Sequence, residues 1–461
     1  IMATKNPKNI IILGAGSTGE YLAEELSAEH NITLVDKDIN KINQIKNKTK
    51  MDLLTISGDA SDLSIFNETD LKEINFFIAC TDDDKLNILT AMYFEKIPGV
   101  QTIVVTKDYR YKDYPGKLDV PEVKTFHSGD IVSQKIMNLF ETPYSWETDK
   151  IADSRILFLK IKIDESSPIL DNSIYSLNKE GTNKWKFLAV TEDPSSEKLN
   201  FIKPDLPSTR LRKGDIVLAV IVDDYEEEFE AKYFSKEEAE LKNIFIVGGT
   251  YIASEVAKKL VRRKCNVKLL VSEQTRAREL SEELESVQII LGEPTDEQLL
   301  ADQGVGKDCD YFLALTSDDE INVLSALLSS KLKARNSLVV YSKSEYQNVI
   351  NSIGAEREIN TKFTVAGEVC TYIITTGKMG KKGFHETIVD ANTKIFEFRC
   401  EEDVNVEEIA ENISLAFTIK EGEETQYLTN PKEGMAQKGD LVIAVTLDAK
   451  SESSLESKIL K

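Results

Sequence analysis

The sequence predicts an α/β protein with two doubly wound parallel sheets, each followed by a small α+β domain. Two observations lead to this prediction. A set of short motifs occurs twice along the 461 residues, at one fixed spacing. Within each repeat, apolar strand-like runs alternate with helix-like segments, and that alternation favours a parallel sheet whose crossovers are right-handed.

The two halves of the chain share segments in the same order and at the same spacing within one residue. Three pairs carry this match: 11–16 (IILGAG) with 245–250 (FIVGGT), 58–62 (GDASD) with 292–296 (GEPTD), and 79–87 (ACTDDDKLN) with 314–322 (ALTSDDEIN). A later motif, KGD followed by an apolar run, recurs at 213–220 and 438–445, at a slightly shorter spacing. The chain is therefore predicted to be a tandem repeat.

The first repeat begins with a regular succession of short apolar runs and helix-like segments. In order these are strand 9–13, helix 17–29, strand 32–35, a charged helix, and strands 53–56, 76–79 and 102–106. The first helix carries Leu22 and Leu26 one turn apart, as expected of a face that packs on a sheet. Further on, apolar residues alternate with period two over 157–163, which predicts a strand of a small β-rich domain.

Composition limits the classes of function. No apolar run approaches the roughly 20 residues that a membrane helix needs, and the first residues carry no secretory signal, so we expect a soluble chain. The five cysteines lie far apart and there are three histidines, which argues against a disulfide framework or a zinc site and suits a reducing cytosol. The net charge of −22 argues against nucleic acid as a partner.

A glycine-rich turn follows the first predicted strand and opens the first helix. It reads Gly14-Ala15-Gly16-Ser17-Thr18-Gly19. Gly14 permits the tight turn, Gly16 lets a pyrophosphate approach the backbone, and Gly19 lets the helix pack closely on the sheet. The helix N-terminus offers free N–H groups to phosphate, so this turn predicts a Rossmann-like nucleotide site.

Other candidate site residues stand where the following strands end. Asp36 ends the second strand at about the 20-residue distance expected for a ribose-binding carboxylate, which would favour NAD or an adenine nucleotide over NADP. Asp59 follows the third strand on the adenine side, and Thr81 and Asp82 follow the fourth, opposite the glycines. The acidic run 82–84 suggests a cation site, but adjacent acids on a loop are more often solvated or a helix N-cap, and we favour that interpretation.

The second half departs from this pattern. Gly248 remains, but Thr250 and Ala253 replace the second and third glycines, and Val271 falls opposite Asp36. Glu273, two residues on, is the candidate to replace that carboxylate if the loop differs. We expect weak or lost nucleotide binding here and a structural role for this half.

These observations predict four domains and a connector. Two Rossmann-like domains span 8–140 and 244–375, and two small α+β domains span 150–232 and 385–457. An acidic linker occupies 233–243, within an acid-rich stretch, 223–243, that we interpret as a solvated helical connector.

The motif set resembles the TrkA family, the peripheral subunits of bacterial Trk potassium uptake systems, and each half is similar to an RCK (KTN plus TrkA-C) unit. The matching segments are 14–26, 35–38, 58–60, 81–82 and the two KGD turns. The resemblance implies NAD(H) and/or ATP/ADP as regulatory ligands at residues 14–18, Asp36, Thr81 and Asp82. It also implies a homo-oligomer, expected to be a tetramer, docked under an integral membrane potassium-translocating subunit on the inner face of the cell membrane. One departure concerns the fifth strand, where Val105 stands in place of the family's phosphate-binding arginine and Lys107 is the candidate replacement.

The predicted function is therefore regulation of potassium transport rather than catalysis, without catalytic or metal-binding residues. Three alternatives stay open at this point: an NAD-dependent dehydrogenase, a regulator of another cation channel or antiporter, and a small domain that senses a cyclic dinucleotide.

Overall fold

A computed structural model gives the fold of the chain. It describes the following residues: 7–27, 30–49, 53–66, 73–113, 123–141, 145, 147–151, 155–163, 165, 167–180, 183–191, 201–202, 210–234, 242–306, 308–347, 349–350, 357–378, 384–388, 394–400, 402–405, 414–420, 426–428 and 435–446. These residues fall into two compact units, one within Ile1–Met137 and Leu241–Ile373, the other within Asn138–Glu240 and Ile374–Lys461.

The first unit contains two six-stranded parallel sheets. The first has strand order β3-β2-β1-β4-β5-β6, the order of a doubly wound dinucleotide-binding sheet. Its elements are β1 Asn9–Leu13, α1 Ser17–Leu26, β2 Asn31–Asp36, α2 Ile39–Thr49, β3 Leu54–Ser57, β4 Phe76–Ala79, α3 Asp84–Phe94, β5 Gln101–Thr106, β6 Lys124–His127 and α4 Ser128–Glu141. We call this sheet with its helices the first α/β domain.

The second sheet repeats the first strand for strand, in the order β14-β13-β12-β15-β16-β17. Seven elements lie between the two parallel sheets in sequence: β7 Glu147–Ile151, β8 Ile156–Lys162, α5 Ile174–Glu180, β9 Trp185–Thr191, β10 Phe201–Ile202, β11 Ile216–Val222 and α6 Glu226–Tyr233. The second α/β domain then comprises β12 Asn243–Val247, α7 Tyr251–Arg262, β13 Asn266–Val271, α8 Gln274–Glu283, β14 Gln288–Leu291, α9 Glu297–Asp302, β15 Tyr311–Ala314, α10 Asp319–Lys331, β16 Asn336–Tyr341, β17 Arg357–Asn360 and α11 Thr361–Lys378.

Burial of apolar side chains on both faces explains why these runs form central parallel strands. In the first sheet, Ile11, Leu13 and Phe77 pack on one side with Phe66 and Phe94. The Phe77 and Phe94 rings stack with centroids 3.8 Å apart. A parallel strand covered by helices on both faces has no solvent side, so its sequence reads as a continuous apolar run.

The second unit contains two five-stranded antiparallel sheets with the same internal order, β7-β8-β11-β9-β10 and β18-β19-β24-β21-β22. The strands of the second sheet, with the short pair β20 and β23, are β18 Phe384–Ile388, β19 Lys394–Arg399, β20 Val404–Asn405, β21 Ser414–Lys420, β22 Gln426–Leu428, β23 Met435–Ala436 and β24 Leu441–Thr446. Side chains from both sheets share one core, which includes Phe158, Leu218, Ile395 and Ile443. The fold class predicted from the sequence is thus confirmed.

The KGD motif is a turn that feeds the central strand of each antiparallel sheet. Gly214 and Gly439 have φ of +93° and +94°, a conformation that favours glycine. The Asp215 carboxylate accepts a hydrogen bond from the Arg212 N–H, and Asp440 accepts one from the Gln437 N–H. This repeated motif therefore has a structural role.

The acid-rich stretch 223–243 is not a solvated connector over its first part. Asp223–Tyr225 forms a 3₁₀ turn and Glu226–Tyr233 forms α6. Phe229 and Tyr233 are buried against Trp185 and Phe187, because this helix covers one face of the first antiparallel sheet. Residues 235–241 of the predicted linker 233–243 lie outside the described residues.

In the part of the chain that the structure describes, no helix is both long enough and apolar enough to cross a bilayer.

Candidate nucleotide-binding site

The glycine turn of the first α/β domain has the geometry predicted for it. Gly14 has a φ of +114°, and its N–H donates to the Val35 carbonyl at 2.8 Å. A Cβ on Gly19 would lie 1.8 Å from the Gly14 carbonyl oxygen, so only glycine lets α1 pack this close to the turn. A Cβ on Gly16 would meet no atom within 4 Å. Gly16 therefore keeps space free for a ligand, whereas Gly19 fits the helix to the strand.

Asp36 lies beside this turn at the end of β2. One of its carboxylate oxygens accepts the Ala15 N–H at 2.7 Å, and the other accepts the Asp38 N–H at 2.8 Å. These bonds hold the carboxylate beside the glycine turn. A carboxylate has about four acceptor sites, so Asp36 can still accept from the hydroxyls of a ribose.

A cleft of about 1280 Å³ opens at the carboxyl ends of β1 and β4. It is lined by the predicted residues Gly14, Ala15, Gly16, Ser17, Thr18, Asp36, Asp59, Thr81 and Asp82. Gly19 alone among the predicted residues is not in the lining, because it is buried in the packing of α1 against the turn. Hydrogen bonds from Ser61 lower the pKa of the exposed Asp59 carboxyl.

The three residues of the acidic run 82–84 have three different roles. Asp83 is the N-cap of α3 and accepts from the Lys85 and Leu86 N–H groups. The buried Asp84 carboxylate accepts from the N–H groups of Lys107 and Asp108. Asp82 forms an ion pair with Lys107, whose hydrogen bond and charge lower the pKa of Asp82. The N-cap interpretation is confirmed, and among the described residues no group of histidines, cysteines and carboxylates could hold a metal ion.

A buried asparagine supports the wall of the cleft, and sequence reasoning missed its role. The Asn87 side chain accepts from the Thr81 N–H at 3.0 Å and the Thr81 hydroxyl at 2.6 Å, and donates to the carbonyls of Thr81 and Val105 at 3.1 Å. Asn322 makes the corresponding bonds to Thr316 and Val340. Both asparagines end a segment that recurs in the two halves, and this recurrence was the available signal.

Replacing either asparagine by leucine should destabilise the chain by about 2–4 kcal/mol. Leucine has nearly the same size, but it leaves buried backbone groups on two strands without partners, at about 1–3 kcal/mol each. Urea unfolding of Asn87→Leu and Asn322→Leu measures this loss. The exposed Asn40→Leu is the matched control and should change stability by less than about 0.5 kcal/mol. Unchanged midpoints for the two buried variants would show that these networks do not support the sheets.

Lysines from several elements surround the cleft. Lys107 follows β5 and lines it, whereas Val105 is buried within the strand, as expected if Lys107 takes the place of the missing arginine. Lys37 and Lys41 line the cleft near Asp36. Lys362 also lines the cleft; it comes from the second α/β domain, and no sequence motif indicated it.

In the second α/β domain the corresponding turn is built differently. Gly248 donates to the Leu270 carbonyl, as Gly14 does to Val35, so Val271 stands at the place of Asp36. Thr250 caps α7, since its hydroxyl accepts from the Ala253 N–H and donates to the Leu315 carbonyl. Arg276 donates to the Gly249 carbonyl at 2.8 Å. Its side chain thus lies against the turn, beside Val271.

The exposed Glu273 does not take the place of Asp36. It stands at the position of Asp38, where it is the N-cap residue of α8, and its side chain makes no capping bond.

Comparison with known proteins agrees with this architecture. Residues 10–124 and 244–361, together just over half of the chain, match the family model of the TrkA-N domain. The chain belongs to the TrkA-N domain family. The two matched stretches cover the first five strands of the first parallel sheet and nearly all of the second sheet, and the family resemblance inferred from the sequence is confirmed.

Several relatives that match most of this chain are named as Trk system potassium uptake proteins. The Trk system potassium uptake protein TrkA homolog of Archaeoglobus fulgidus is 27% identical over 376 residues, which cover 79% of this chain and 81% of that protein. The Trk system potassium uptake protein TrkA of Vibrio alginolyticus is 25% identical, with 74% of each chain covered. That of Haemophilus influenzae is 27% identical, again with 74% of each chain covered.

Among solved structures, the crystal structure of the GsuK RCK domain matches with a TM-score of 0.62, covering 100% of this chain and 96% of that one at 14% identity. The GsuK channel bound to NAD matches with a TM-score of 0.60, covering 100% and 80%, also at 14% identity. Identity this low shows the fold alone. The relatives are named as proteins of potassium uptake systems, which agrees with a protein that is not an enzyme.

Proposed function

We propose that the chain is the nucleotide-binding regulatory subunit of a potassium uptake system. The observation that carries the proposal is the cleft of the first α/β domain, where an open glycine turn, a helix N-terminus and the Asp36 carboxylate lie together. This combination suits the pyrophosphate and ribose of a nucleotide. The names of the TrkA relatives support potassium uptake as the process that it serves.

The proposed ligands are NAD(H) and the adenine nucleotides ATP and ADP. Asp36 accepts hydrogen bonds from ribose hydroxyls and repels a 2′-phosphate, so NADP is disfavoured. Asp59 would lie on the adenine side, and Thr81 and Asp82 line the cleft beside the glycine turn. Lys107 supplies positive charge in place of the arginine that Val105 replaces.

In this proposal the second α/β domain binds nucleotide weakly or not at all. Val271 cannot accept from a ribose, and Arg276 covers the carbonyl of Gly249 at the turn. The domain boundaries 8–140, 150–232, 244–375 and 385–457, with the linker 233–243, are part of the same proposal, as is assembly into a tetramer on the inner face of the membrane.

Regulation would work through a population shift. Two nucleotides that bind two conformations with different affinities bias the assembly toward one or the other, and only this difference in affinity can shift the equilibrium. A tenfold difference corresponds to about 1.4 kcal/mol, enough to change the activity of an attached transporter several-fold. The attached partner would be an integral membrane potassium-translocating subunit of the Trk type.

Reconstitution tests this function. The chain is co-expressed with a Trk-type membrane subunit, purified as a complex and placed in liposomes, and potassium flux is measured with and without ADP or NADH. We expect a nucleotide to change the flux at least several-fold, and liposomes that contain the membrane subunit alone to show no such response. Failure to form a complex, or a flux that ignores every nucleotide, would contradict the proposal.

A further inference from the structure

The two α/β domains contact each other through a pair of equivalent surfaces. On each domain, the helix after the glycine turn faces the helix that follows the last strand of the other. Ser17 at the start of α1 meets Lys362 at the start of α11, with 3.2 Å between the Ser17 hydroxyl oxygen and the lysine Nζ. The adjacent rings of Tyr21 and Phe363 lie 5.1 Å apart.

Strand register shows that these contacts are equivalent across the repeat. Thr106 pairs with His127 in the first sheet, and Tyr341 pairs with Asn360 in the second. Gly129, two residues after His127, therefore corresponds to Lys362, two residues after Asn360. Ser17 lies three residues after Gly14, and Tyr251 lies three residues after Gly248. Ser17 therefore corresponds to Tyr251.

The two equivalent contacts are made by different kinds of side chain. On the side of the second glycine turn, the Tyr251 ring packs over Gly129, where a Cβ would lie 2.5 Å from the ring. Its hydroxyl donates to Asp130 at 2.6 Å, and its ring contacts Tyr109 and His127. On the side of the first turn, the small Ser17 faces the long cationic Lys362. The Tyr251 ring thus closes one contact, whereas at the other the charged Lys362 lines an open cleft.

We propose that the second α/β domain supplies Lys362 as a phosphate-binding residue to the nucleotide cleft of the first, so that a bound nucleotide bridges the two domains. The inference deepens the proposed function and rests on it. Ser17 is the first residue of α1, at the helix end where phosphate groups bind, and Lys362 lines the same cleft. The repeat is thus specialised: one half binds the ligand and the other contributes a cation to it.

The charges around Lys362 are consistent with an anionic ligand. Burial and the charge of Lys107 lower the pKa of Lys362, while Asp82 opposes this shift. The acidic Glu345 of the second domain also lines the cleft. A second cavity of about 350 Å³, lined by both domains, shares Lys107 and Lys362 with the cleft. Negative phosphate groups between the two lysines would relieve their mutual repulsion.

Titration of purified full-length chain with ADP and with adenosine tests the proposal. We expect Lys362→Gln to weaken ADP binding at least tenfold and to leave adenosine, which has no phosphate, within about twofold. Lys362→Arg should keep ADP affinity within about threefold, because it preserves the charge. Lys331→Gln is the matched control: this lysine is exposed at the C-terminal end of α10 in the same domain and does not line the cleft, and its loss should change ADP affinity less than threefold.

The outcomes separate the inference from the function on which it rests. Equal ADP affinity in wild type and Lys362→Gln would overturn the inference and leave the nucleotide site standing. Equal losses for ADP and adenosine would also overturn it, because they would show a positional effect rather than a phosphate contact. Absence of ADP and NADH binding to the wild type would instead contradict the proposed function itself.

Discussion

Gly19→Ala should destabilise the first α/β domain by at least about 3 kcal/mol, whereas Gly16→Ala should change its stability by less than about 1 kcal/mol. The added methyl at Gly19 would lie 1.8 Å from the Gly14 carbonyl oxygen, a backbone atom that cannot move without displacing the turn. Overpacking of this kind typically costs about 1–3 kcal/mol and more where backbone must shift. The methyl at Gly16 meets no protein atom within 4 Å.

For nucleotide binding by the folded protein, we expect the larger effect from Gly16→Ala. The methyl of Gly16→Ala projects into the space that a pyrophosphate needs, so affinity for NADH or ADP should fall roughly 10- to 100-fold. Denaturant unfolding and calorimetric titration of both variants measure the two effects. Full stability in Gly19→Ala, or full affinity in Gly16→Ala, would show that the glycine turn does not have the two roles assigned to it.

Asp36→Ala should weaken binding of NADH or an adenine nucleotide at least about 100-fold. It removes the acceptor for the ribose hydroxyls, and hydrogen bonds to a charged group are worth about 1.5–3 kcal/mol each. It also frees the Ala15 N–H, which Asp36 now holds at 2.7 Å, and so loosens the turn itself. Both consequences weaken the binding of the nucleotide.

Asp62→Ala is the matched control for Asp36. Asp62 is an exposed carboxylate after β3 that accepts from the Ser64 N–H and does not line the cleft. Its removal makes the same change in net charge and should alter affinity less than about threefold. If both variants bind as the wild type does, the ligand does not lie on the carboxylate side of the glycine turn.

The parallel sheets could be predicted closely from the sequence, because their signals are local. The strands Asn9–Leu13 and Phe76–Ala79 have the predicted bounds, since an apolar run between polar residues marks a strand that is buried on both faces. The glycine turn was equally visible, because the backbone conformation of Gly14 and the close packing at Gly19 both require glycine. The register also places Val271 opposite Asp36, as the alignment of the halves indicated.

Features that depend on contacts between distant segments were not predictable in this way. Phe158 alternates with Leu157 and Leu159 in a period-two strand, yet it is as buried as they are, because a second sheet covers its face. Phe229 lies in an acidic stretch that reads as a connector, but its ring packs on Trp185. Lys362 follows an ordinary strand, and its place at the cleft results from the docking of one half on the other.

The central claim, that one half of this tandem TrkA-N protein holds a regulatory nucleotide, is tested most directly by calorimetric titration with NAD, NADH, ATP and ADP. The account predicts that at least one of them binds with one site per chain, since Asp36 and the open glycine turn occur in the first half and Arg276 covers the turn in the second. Two equal sites per chain would contradict the specialisation of the halves. Absence of binding by all four nucleotides would contradict the account of the site as a whole.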